Sequence, residues 1–417
     1  MSKRWRGAFC AATAALTLSG CGLTVLKAHP DPAGQSMRST PNGMVLVSPD
    51  NFVRAASDQQ FTDVVNDHGF GRFFHQRDML PLDRQLVVRS NRDTLYSAAV
   101  FDLQAAPVTI TLPDPGSRYM SAQVINQDEY VTDMFYGSGE HTLTQQHAGT
   151  RYVMVVVRIL ADPRDAADLA AARKLQDAVT VSQDGSGSFD VPRWDPVSQK
   201  KVNDALLALA ETVPDTRDMF GTMADTDPVR HLIGAAAAWG GIPENDALYL
   251  NVIPAHNDGN TVYRLTVKDV PVKAFWSVSV YDRNGYFAEN PQHAYSVNDI
   301  TAVKGSDGSV TVQFGGCSAN VDNCLPIKPG WNYLVRLYQP EQKILSGKWV
   351  FPLAQPEDNG DADDRSAAPA ATPAAPSTAT TTSTPASPPN AATRDGLTTP
   401  GSTTTMPTPS TQVRPPR

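Results

Sequence analysis

The densest group of chemically versatile side chains lies between Val88 and Ser97. Within eight residues it places two cations, an amide, a carboxylate and a phenol at the entry of a predicted strand: Arg89, Arg92, Asn91, Asp93 and Tyr96. In one interpretation, Arg89 or Arg92 binds a carboxylate or phosphate ligand through two parallel hydrogen bonds while Tyr96 stacks against it. In the other, Asp93 and Thr94 brace a turn and Asp93 forms a buried pair with Arg89.

A second candidate group lies in the C-terminal half of the chain. The segment from Phe275 to Tyr281 alternates aromatic and small residues. This pattern is typical of a strand that contributes to a core, although one face of a carbohydrate-binding sandwich has the same pattern. Trp276 is therefore a candidate for ligand contact. Arg336 alternates with apolar residues on another predicted strand, and an inward arginine needs an acidic or aromatic partner, for which Asp282 is a candidate.

Signatures of the common hydrolases, metalloproteases and nucleotide-binding proteins are absent. The sequence contains no Gly-x-Ser-x-Gly elbow, no His-Glu-x-x-His and no glycine-rich phosphate loop. Two pairs of nearby histidines have spacings that do not place both members on one helix face: His68 with His75 and His141 with His147. Asp128, Glu129 and Asp133 could form a calcium site or an acid–base pair, but carboxylates in such a pattern are more often solvated. We predict no metal site and no cofactor.

The N-terminus carries the features of an exported, lipid-anchored protein. Basic residues precede an apolar run from Ala8 to Leu18, which suits a signal peptide and is shorter than the roughly 20 residues of a membrane span. The segment from Leu18 to Cys21 resembles the lipobox of bacterial lipoproteins, in which the cysteine receives a diacylglyceryl group. An ordinary secretory signal with an incidental Cys21 is the alternative. We predict lipidation of Cys21 and localisation in the bacterial cell envelope, anchored to a membrane.

Two further cysteines, Cys317 and Cys324, bracket a short loop. In an oxidising exported compartment we predict that they form a disulfide. Half of a metal site is the weaker alternative, because the spacing is not Cys-x-x-Cys and no histidine lies within 20 residues of either cysteine.

The charge of the chain narrows its range of partners. The formal net charge is -8, and removal of the three basic residues of the first 20 changes it to -11. An acidic chain repels phosphate backbones, so nucleic acid is not an expected partner. Broad docking on anionic lipid is disfavoured for the same reason, and the membrane contact is expected through the acyl chains alone.

Composition and hydrophobic periodicity divide the chain. We predict six segments: a signal peptide at 1–20, a flexible tether at 21–44, an N-terminal β domain at 45–185, a helical connector at 186–241, a C-terminal β domain at 242–354 and a disordered Pro/Ala/Ser/Thr-rich tail at 355–417. The fold class predicted is mainly β with helical insertions (α+β). It consists of two jelly-roll-like antiparallel β-sandwich domains joined by the connector.

Strands and helices follow from local patterns. Val108, Ile110 and Leu112 alternate with threonines, as in a half-buried strand. Strands are predicted at 96–103, 108–112, 119–125, 152–160, 262–267, 275–281, 309–314 and 331–338. Helices are predicted at 165–179 and 196–211, from Pro228 with Asp227 as its cap to Trp239, and as an N-terminal pair near 52–65 and 71–79.

The sequence resembles a tandem of two bacterial domains of unknown function. An Asn-x-Asp-Thr-Leu-Tyr-Ser segment at 91–97 is similar to the N-terminal signature of domain of unknown function 1254. The segments 274–282, 289–291, 295–299 and 336–338 are similar to domain of unknown function 1214. The resemblance covers about 45–354 and departs from the family at Ala294, where an arginine is frequent, and in the Cys317–Cys324 loop. It implies paired jelly-roll-like β domains, often exported and sometimes self-associating, without an established reaction.

We therefore predict a lipid-anchored envelope protein whose favoured role is non-catalytic. It would bind a small polar ligand or glycan, or act as a scaffold through self-association as a homo-oligomer. The candidate ligand-binding residues are Arg89, Asn91, Arg92, Asp93, Tyr96, Tyr119, Trp276 and Arg336. The alternative is an exported hydrolase or lyase that acts on a small polar molecule around Arg89, Asp93 and Tyr96.

Overall fold

The computed structural model describes residues 38–357, except positions 84, 86, 87, 214 and 319. The predicted signal peptide, Cys21, most of the tether and nearly all of the tail lie outside the described residues. None of the described helices is both long and apolar enough to span a bilayer.

The described part of the chain contains α1 (Phe52–Asn66), α2 (Gln145–Ala148), α3 (Ala166–Ala178), α4 (Pro196–Ala210), α5 (Pro228–Ala237) and α6 (Gln342–Leu345). Aspartates cap three of these helices, because their carboxylates accept hydrogen bonds from otherwise unpaired N–H groups of the first turn: Asp165, Asp195 and Asp227. The predicted cap at Asp227 and the helix after it are thus confirmed, as is the predicted N-terminal helix at 52–65.

The first half of the described chain forms eight strands: β1 (Phe74–Gln76), β2 (Thr94–Asp102), β3 (Val108–Leu112), β4 (Met120–Asn126), β5 (Val131–Tyr136), β6 (Gly139–Leu143), β7 (Tyr152–Leu160) and β8 (Thr180–Gln183). They build a five-stranded sheet in the order β1-β2-β7-β4-β5 and a three-stranded sheet in the order β6-β3-β8. Both sheets contribute to one apolar core, which includes Leu95, Ile110, Leu143 and Val155.

The second half also forms eight strands: β9 (Ala247–Val252), β10 (Tyr263–Val267), β11 (Trp276–Tyr281), β12 (Ser296–Asn298), β13 (Val310–Phe314), β14 (Cys324–Leu325), β15 (Asn332–Tyr338) and β16 (Gln355–Pro356). Their two four-stranded sheets have the orders β12-β11-β15-β9 and β14-β13-β10-β16. Val278, Val335 and Val312 lie in the core they share. The chain is mainly β with helical insertions, and its sheets are antiparallel except for the β13–β14 pair, which is parallel.

Strand alternation gives the five-stranded sheet a second, outward face. On β7, Val157 and Ile159 point into the sandwich core, so Arg158 between them points outward. Helix α1 covers one part of this outer face, where Phe61 packs with Met154. The remainder is covered by the sheet β12-β11-β15-β9, and both sandwiches belong to one compact unit.

Two sequence-based predictions differ from the structure. The helix predicted near 71–79 is wrong, because Phe74–Gln76 instead pairs with β2 at the edge of the five-stranded sheet. The tail was predicted to begin at 355, but Gln355 and Pro356 pair with β10, and Glu357 forms an ion pair with Arg264. The hydrogen-bonding needs of a sheet edge, which have no strong local signature, explain both differences.

The predicted disulfide is confirmed. Cys317 and Cys324 are bonded, with their Cα atoms 5.6 Å apart. The bridge joins Cys317, in the loop that follows β13, to Cys324 at the start of β14, and so closes the connection between two neighbouring strands.

Candidate functional site

Polar side chains are enclosed where the two sandwiches meet. We call this set the interdomain layer. Its members are Tyr96, Gln123 and Arg158 from the N-terminal sandwich, Tyr249, Ser277, Arg336 and Tyr338 from the C-terminal sandwich, and Asp93 from the segment that leads into β2. Each side chain on a strand lies on the outward face of its sheet, because the alternate positions fill the sandwich cores.

Arg158 is a buried cation held only by neutral groups. The residue is 8% exposed. Nη1 donates a hydrogen bond to Oε1 of Gln123 at 2.6 Å, and Nη2 donates to the carbonyl oxygen of Gly240 at 3.3 Å. Tyr96 lies directly opposite on β2, and the guanidinium carbon is 5.4 Å from its ring centroid. In the part of the chain that the structure describes, no carboxylate forms an ion pair with Arg158.

Tyrosines surround Arg158 from both sandwiches. Its electrostatic partners are Tyr96, Tyr249, Tyr119 and Tyr338. Burial would lower the pKa of Arg158, but these phenols raise it above its ordinary value. Burial also raises the pKa of Tyr249 and of Tyr338, so both hydroxyls stay protonated and available as donors at neutral pH. As residues, Tyr96 and Tyr249 are only partly buried.

Arg336 is the second buried cation, at 2% exposure. Nη1 donates to the Ser279 hydroxyl at 2.8 Å, and Nη2 donates to the Tyr281 hydroxyl at 2.7 Å. Nη2 also donates to the carbonyl oxygens of Arg89 and Ser90 at 2.7 and 3.0 Å. The predicted partner Asp282 is wrong: its carboxylate instead accepts backbone hydrogen bonds within its own turn. Arg336 therefore fastens the segment before β2 to the C-terminal sheet.

Asp93 is the carboxylate of the layer and is 1% exposed. Oδ1 accepts hydrogen bonds from the Ser296 hydroxyl at 2.8 Å and from the Asn298 amide at 3.3 Å. Oδ2 is buried and has no hydrogen-bond partner among the described residues, and the same is true of the Ser277 hydroxyl on β11. The expected pair of Asp93 with Arg89 is not formed, since Arg89 donates to Asn251.

Asn91 links the two sandwiches beside Asp93. Its Oδ1 accepts the backbone N–H of Asp93 at 2.8 Å, and its Nδ2 donates to the Tyr338 hydroxyl at 3.1 Å. The short turn that the sequence placed at the entry of β2 is thus braced by Asn91, and Thr94 contributes through its hydroxyl. Through these two hydrogen bonds, Asn91 holds the backbone of Asp93 next to the Tyr338 hydroxyl.

Arg89 and Arg92 lie outside the layer. Arg89 has a positive φ of 53°, and its Nε donates to Oδ1 of Asn251 at 3.0 Å. Arg92 donates to the carbonyl oxygen of Leu80 and lies 4.9 Å from the ring centroid of Tyr295. The guanidinium that lies over the Tyr96 ring is that of Arg158, whereas the sequence-based hypothesis placed Arg89 or Arg92 with Tyr96 around one ligand.

The two remaining aromatic candidates have structural surroundings. Trp276 points into the core of the C-terminal sandwich and packs edge-on against Phe351, with ring centroids 5.7 Å apart. It therefore does not present a carbohydrate-binding face. Tyr119 packs against Phe275 and Tyr338 at the junction of the sandwiches, with ring centroids 5.2 and 5.4 Å away. Its pKa is raised by burial.

The three carboxylates considered for calcium or acid–base chemistry do not assemble. Asp128 forms an ion pair with Arg54, and Asp133 pairs with His147. Glu129 is buried and accepts a hydrogen bond from the Gly240 N–H. Within the described ranges, no group of three His, Cys, Asp or Glu residues is arranged to hold a metal ion.

The structure places five of the residues predicted from the sequence in or beside the layer: Asp93, Asn91, Tyr96, Tyr119 and Arg336. Arg158 and Tyr249 were not among the predicted residues. A signal for Arg158 was present: it is the one charged residue in the apolar run of β7, Tyr-Val-Met-Val-Val-Val-Arg-Ile-Leu. A charge in a buried strand costs free energy unless it is compensated. An arginine in such a strand is therefore a candidate for a binding or structural role. Tyr249 carried no comparable signal.

Comparison with known families follows the two halves of the fold. Residues 70–146 match the family described as "Protein of unknown function (DUF1254)", and residues 254–342 match the family described as "Protein of unknown function (DUF1214)". The predicted tandem resemblance is confirmed. No curated protein is significantly similar to the chain in sequence.

Two solved structures are similar to this chain, and the first of them shares its fold. The crystal structure of the VPA0106 protein from Vibrio parahaemolyticus is 19% identical, with a TM-score of 0.57, and the match covers 74% of this chain and 98% of that one. An uncharacterised protein from Burkholderia cenocepacia is 14% identical, with a TM-score of 0.43, over 74% of this chain and 86% of that one. At this identity the likeness to the Vibrio protein extends to the fold alone.

Proposed function

We propose a function from the interdomain layer itself. The chain carries the domains of unknown function 1254 and 1214 in tandem, and neither domain has a known activity from which a function could be inferred. The protein binds the oxyanion group of a small ligand, a carboxylate or a phosphate, at Arg158. One observation carries this proposal: Arg158 is a buried cation whose protein acceptors are all neutral. An oxyanion would supply the missing charge through charge-assisted hydrogen bonds.

The surroundings of Arg158 suit a small polar ligand better than a macromolecule. Tyr96 and Tyr249 are only partly buried as residues and both interact with Arg158, so phenol rings and hydroxyl groups lie close to the cation. Phenol rings offer stacking surface, and protonated hydroxyls offer donors to anionic or hydroxylated ligands. Because the two tyrosines come from different sandwiches, the site is complete only when both domains are packed together.

We also propose that the site is presented at a membrane of the cell envelope through lipidated Cys21, as the N-terminal sequence predicts. This part of the proposal rests on the N-terminal sequence and not on the contacts of the interdomain layer. A binding protein held in this way would retain a small exported or imported solute near the membrane. Self-association stays a prediction.

A second candidate function is supported by a single observation. Oδ2 of Asp93 is buried and has no hydrogen-bond partner in the described part of the chain, as expected of a carboxylate that acts as an acid or base on a bound molecule. In the hydrolase or lyase alternative, Asp93 would be the reacting group. Arg89, named with it in the sequence-based version of this alternative, donates to Asn251 instead. Replacement of Asp93 by Asn separates the candidates, because it would abolish turnover while oxyanion binding at Arg158 persists.

The proposal is tested by calorimetric titration of the mature protein with sulfate, citrate and neutral glucose at constant ionic strength. Sulfate represents a tetrahedral oxyanion such as phosphate, and citrate represents a carboxylate. The two probes therefore distinguish which oxyanion the site prefers. Replacement of Arg158 by Met keeps the side-chain length, and we expect it to weaken anion binding roughly 10- to 100-fold, the value of one or two charge-assisted hydrogen bonds. The matched control is Arg164→Met, whose side chain is 66% exposed.

A second variant keeps the packing and removes one hydroxyl. Tyr249→Phe should weaken binding of the same probes, whereas Tyr286→Phe, at an exposed position, should not. Equal affinity of the wild type and Arg158→Met for both anions would refute the proposal. A preference for glucose over either anion would do the same.

A further inference from the structure

A buried glutamate lies behind the Arg158 site and is not used by the proposed function. Glu129 occupies the turn between β4 and β5, has a positive φ of 61° and is 1% exposed. Asn126 builds this turn: its side-chain oxygen accepts the backbone N–H groups of Asp128 and Tyr130. The turn thus forces a non-glycine residue into the left-handed region, at a cost in free energy, and directs its carboxyl group inward.

The carboxyl group of Glu129 has one partner. Oε1 accepts a hydrogen bond from the Gly240 N–H at 3.0 Å. Oε2 is buried and has no hydrogen-bond partner among the described residues. A carboxylate in such surroundings would be poorly compensated, because ionised oxygens need several donors when water is excluded. The arrangement therefore favours the protonated carboxylic acid.

Gly240 connects Glu129 to the Arg158 site. The N–H of Gly240 is held by Glu129, while its carbonyl oxygen accepts a hydrogen bond from Nη2 of Arg158. The next carbonyl, of Gly241, accepts from Nε2 of Gln123, whose Oε1 in turn accepts from Arg158. Both acceptors that orient the guanidinium thus depend on the position of one short segment.

Other charged groups around the turn are engaged elsewhere. On α1, Arg54 pairs with Asp128, and Asp58 accepts hydrogen bonds from Gln127 and Trp194. On α5, His231 contacts the carbonyl oxygen of Asp128 and stacks on Tyr130. In the described part of the chain, no cation forms an ion pair with Glu129. Burial accordingly raises the pKa of Glu129 to about 8, although the hydrogen bond from Gly240 acts in the opposite direction.

We propose that Glu129 is a positioning residue that makes the Arg158 site sensitive to protons: the protonated carboxyl group holds Gly240 and thereby orients Arg158, and loss of the proton releases both. This inference rests on the proposed function. Ionisation would leave a buried charge with a single donor, and its transfer to water is the way to relieve that cost. The strained φ of Glu129 would be relieved by the same movement.

The first experiment needs no ligand. With ¹⁵N-labelled glycine in the mature protein, the Gly240 amide shift is followed from pH 6 to 9.5. We expect an inflection near pH 8 in the wild type, its loss in Glu129→Gln, which mimics the protonated acid, and its retention in Glu140→Gln, an exposed control. A flat Gly240 shift in the wild type, or the same inflection in Glu129→Gln, would overturn the inference.

The second experiment measures sulfate affinity at pH 7 and pH 9, since the charge of sulfate does not change in this range. Wild-type affinity should fall above pH 8 by up to about tenfold per pH unit, the limit for one coupled proton. Glu129→Gln should bind equally at both values. If sulfate binding depends on Arg158 but has the same pH profile in the wild type and in Glu129→Gln, the role of Glu129 is refuted and the proposed function is not. Binding that is absent at pH 7, or independent of Arg158, refutes the proposed function and the role of Glu129 at the site.

Discussion

Oδ1 of Asp93 accepts a hydrogen bond from the Ser296 hydroxyl at 2.8 Å, although 203 positions separate the two residues. Asp93 lies at the entry of the N-terminal sandwich, and Ser296 begins β12 in the C-terminal one. The contact joins the segment matched by one family to the segment matched by the other. The tandem arrangement is therefore part of the folded core, since the buried carboxylate of Asp93 in one half takes its hydrogen-bond donors from the other half.

Ser296→Ala should destabilise the protein by about 1.5–3 kcal/mol, because a buried carboxylate loses a charge-assisted donor and keeps only the Asn298 amide. Urea denaturation measures the free energy of unfolding. Ser346→Ala, which removes an exposed hydroxyl, should change it by less than about 0.5 kcal/mol. Equal effects of the two substitutions would show that Asp93 does not depend on this contact.

Arg336→Met should be the most destabilising substitution of an arginine in the layer, at about 3–5 kcal/mol. It removes a donor from the carbonyl oxygen of Arg89, leaves that of Ser90 with the Tyr281 hydroxyl, and removes a cation near Asp93. Arg92→Met is the comparison, because its half-buried guanidinium makes one hydrogen bond, to Leu80. Thermal and urea denaturation should rank Arg336 well above Arg92, and the reverse order would contradict the role assigned to Arg336.

Folding stability should depend on pH through Glu129. Its folded-state pKa of about 8 lies above the ordinary 4.5, so the folded protein retains a proton that the unfolded chain has lost. The contribution to stability is complete below pH 4.5 and is lost as the pH rises towards 8, with a slope of about 1.4 kcal/mol per pH unit. Urea titrations from pH 5.5 to 8.5 should show this slope in the wild type and its loss in Glu129→Gln. Parallel slopes would contradict it.

The Cys317–Cys324 bridge should contribute about 2–3 kcal/mol by closing a short loop. Non-reducing peptide mapping of exported protein should recover both cysteines in one linked peptide. The double variant Cys317→Ser, Cys324→Ser should lower the unfolding midpoint, and a reducing agent should then have no further effect. Two free, alkylatable thiols in the exported wild type would contradict the assignment.

Cys21 lies outside the described residues, and its lipidation stays a prediction of the sequence. The wild type should partition into the detergent phase of Triton X-114, and Cys21→Ala should remain in the aqueous phase or accumulate unprocessed. Cys10→Ala serves as the control, because Cys10 lies within the predicted signal peptide. Identical partitioning of wild type and Cys21→Ala would exclude the lipid anchor.

Elements with a strong local signal could be predicted from the sequence, whereas several short strands could not. Alternation at Val108, Ile110 and Leu112 corresponds to β3, and the Asp227 cap followed by proline corresponds to the start of α5. These features are local: pleat, helix caps and short-loop closure act between residues a few positions apart. The helix predicted near 71–79 was wrong because a sheet edge, a distant partner, decided its conformation.

The contacts between the side chains of the site could be read only from the tertiary structure. The sequence identified Asp93, Tyr96 and Arg336 as chemically notable, but it paired Asp93 with Arg89 and overlooked Arg158. Which cation meets which acceptor depends on how the outer faces of two sheets pack, and Tyr96 and Tyr249, which interact there, are far apart in the sequence. Packing of this kind has no period or spacing in the chain, because it arises from apolar burial and shape rather than from neighbouring residues.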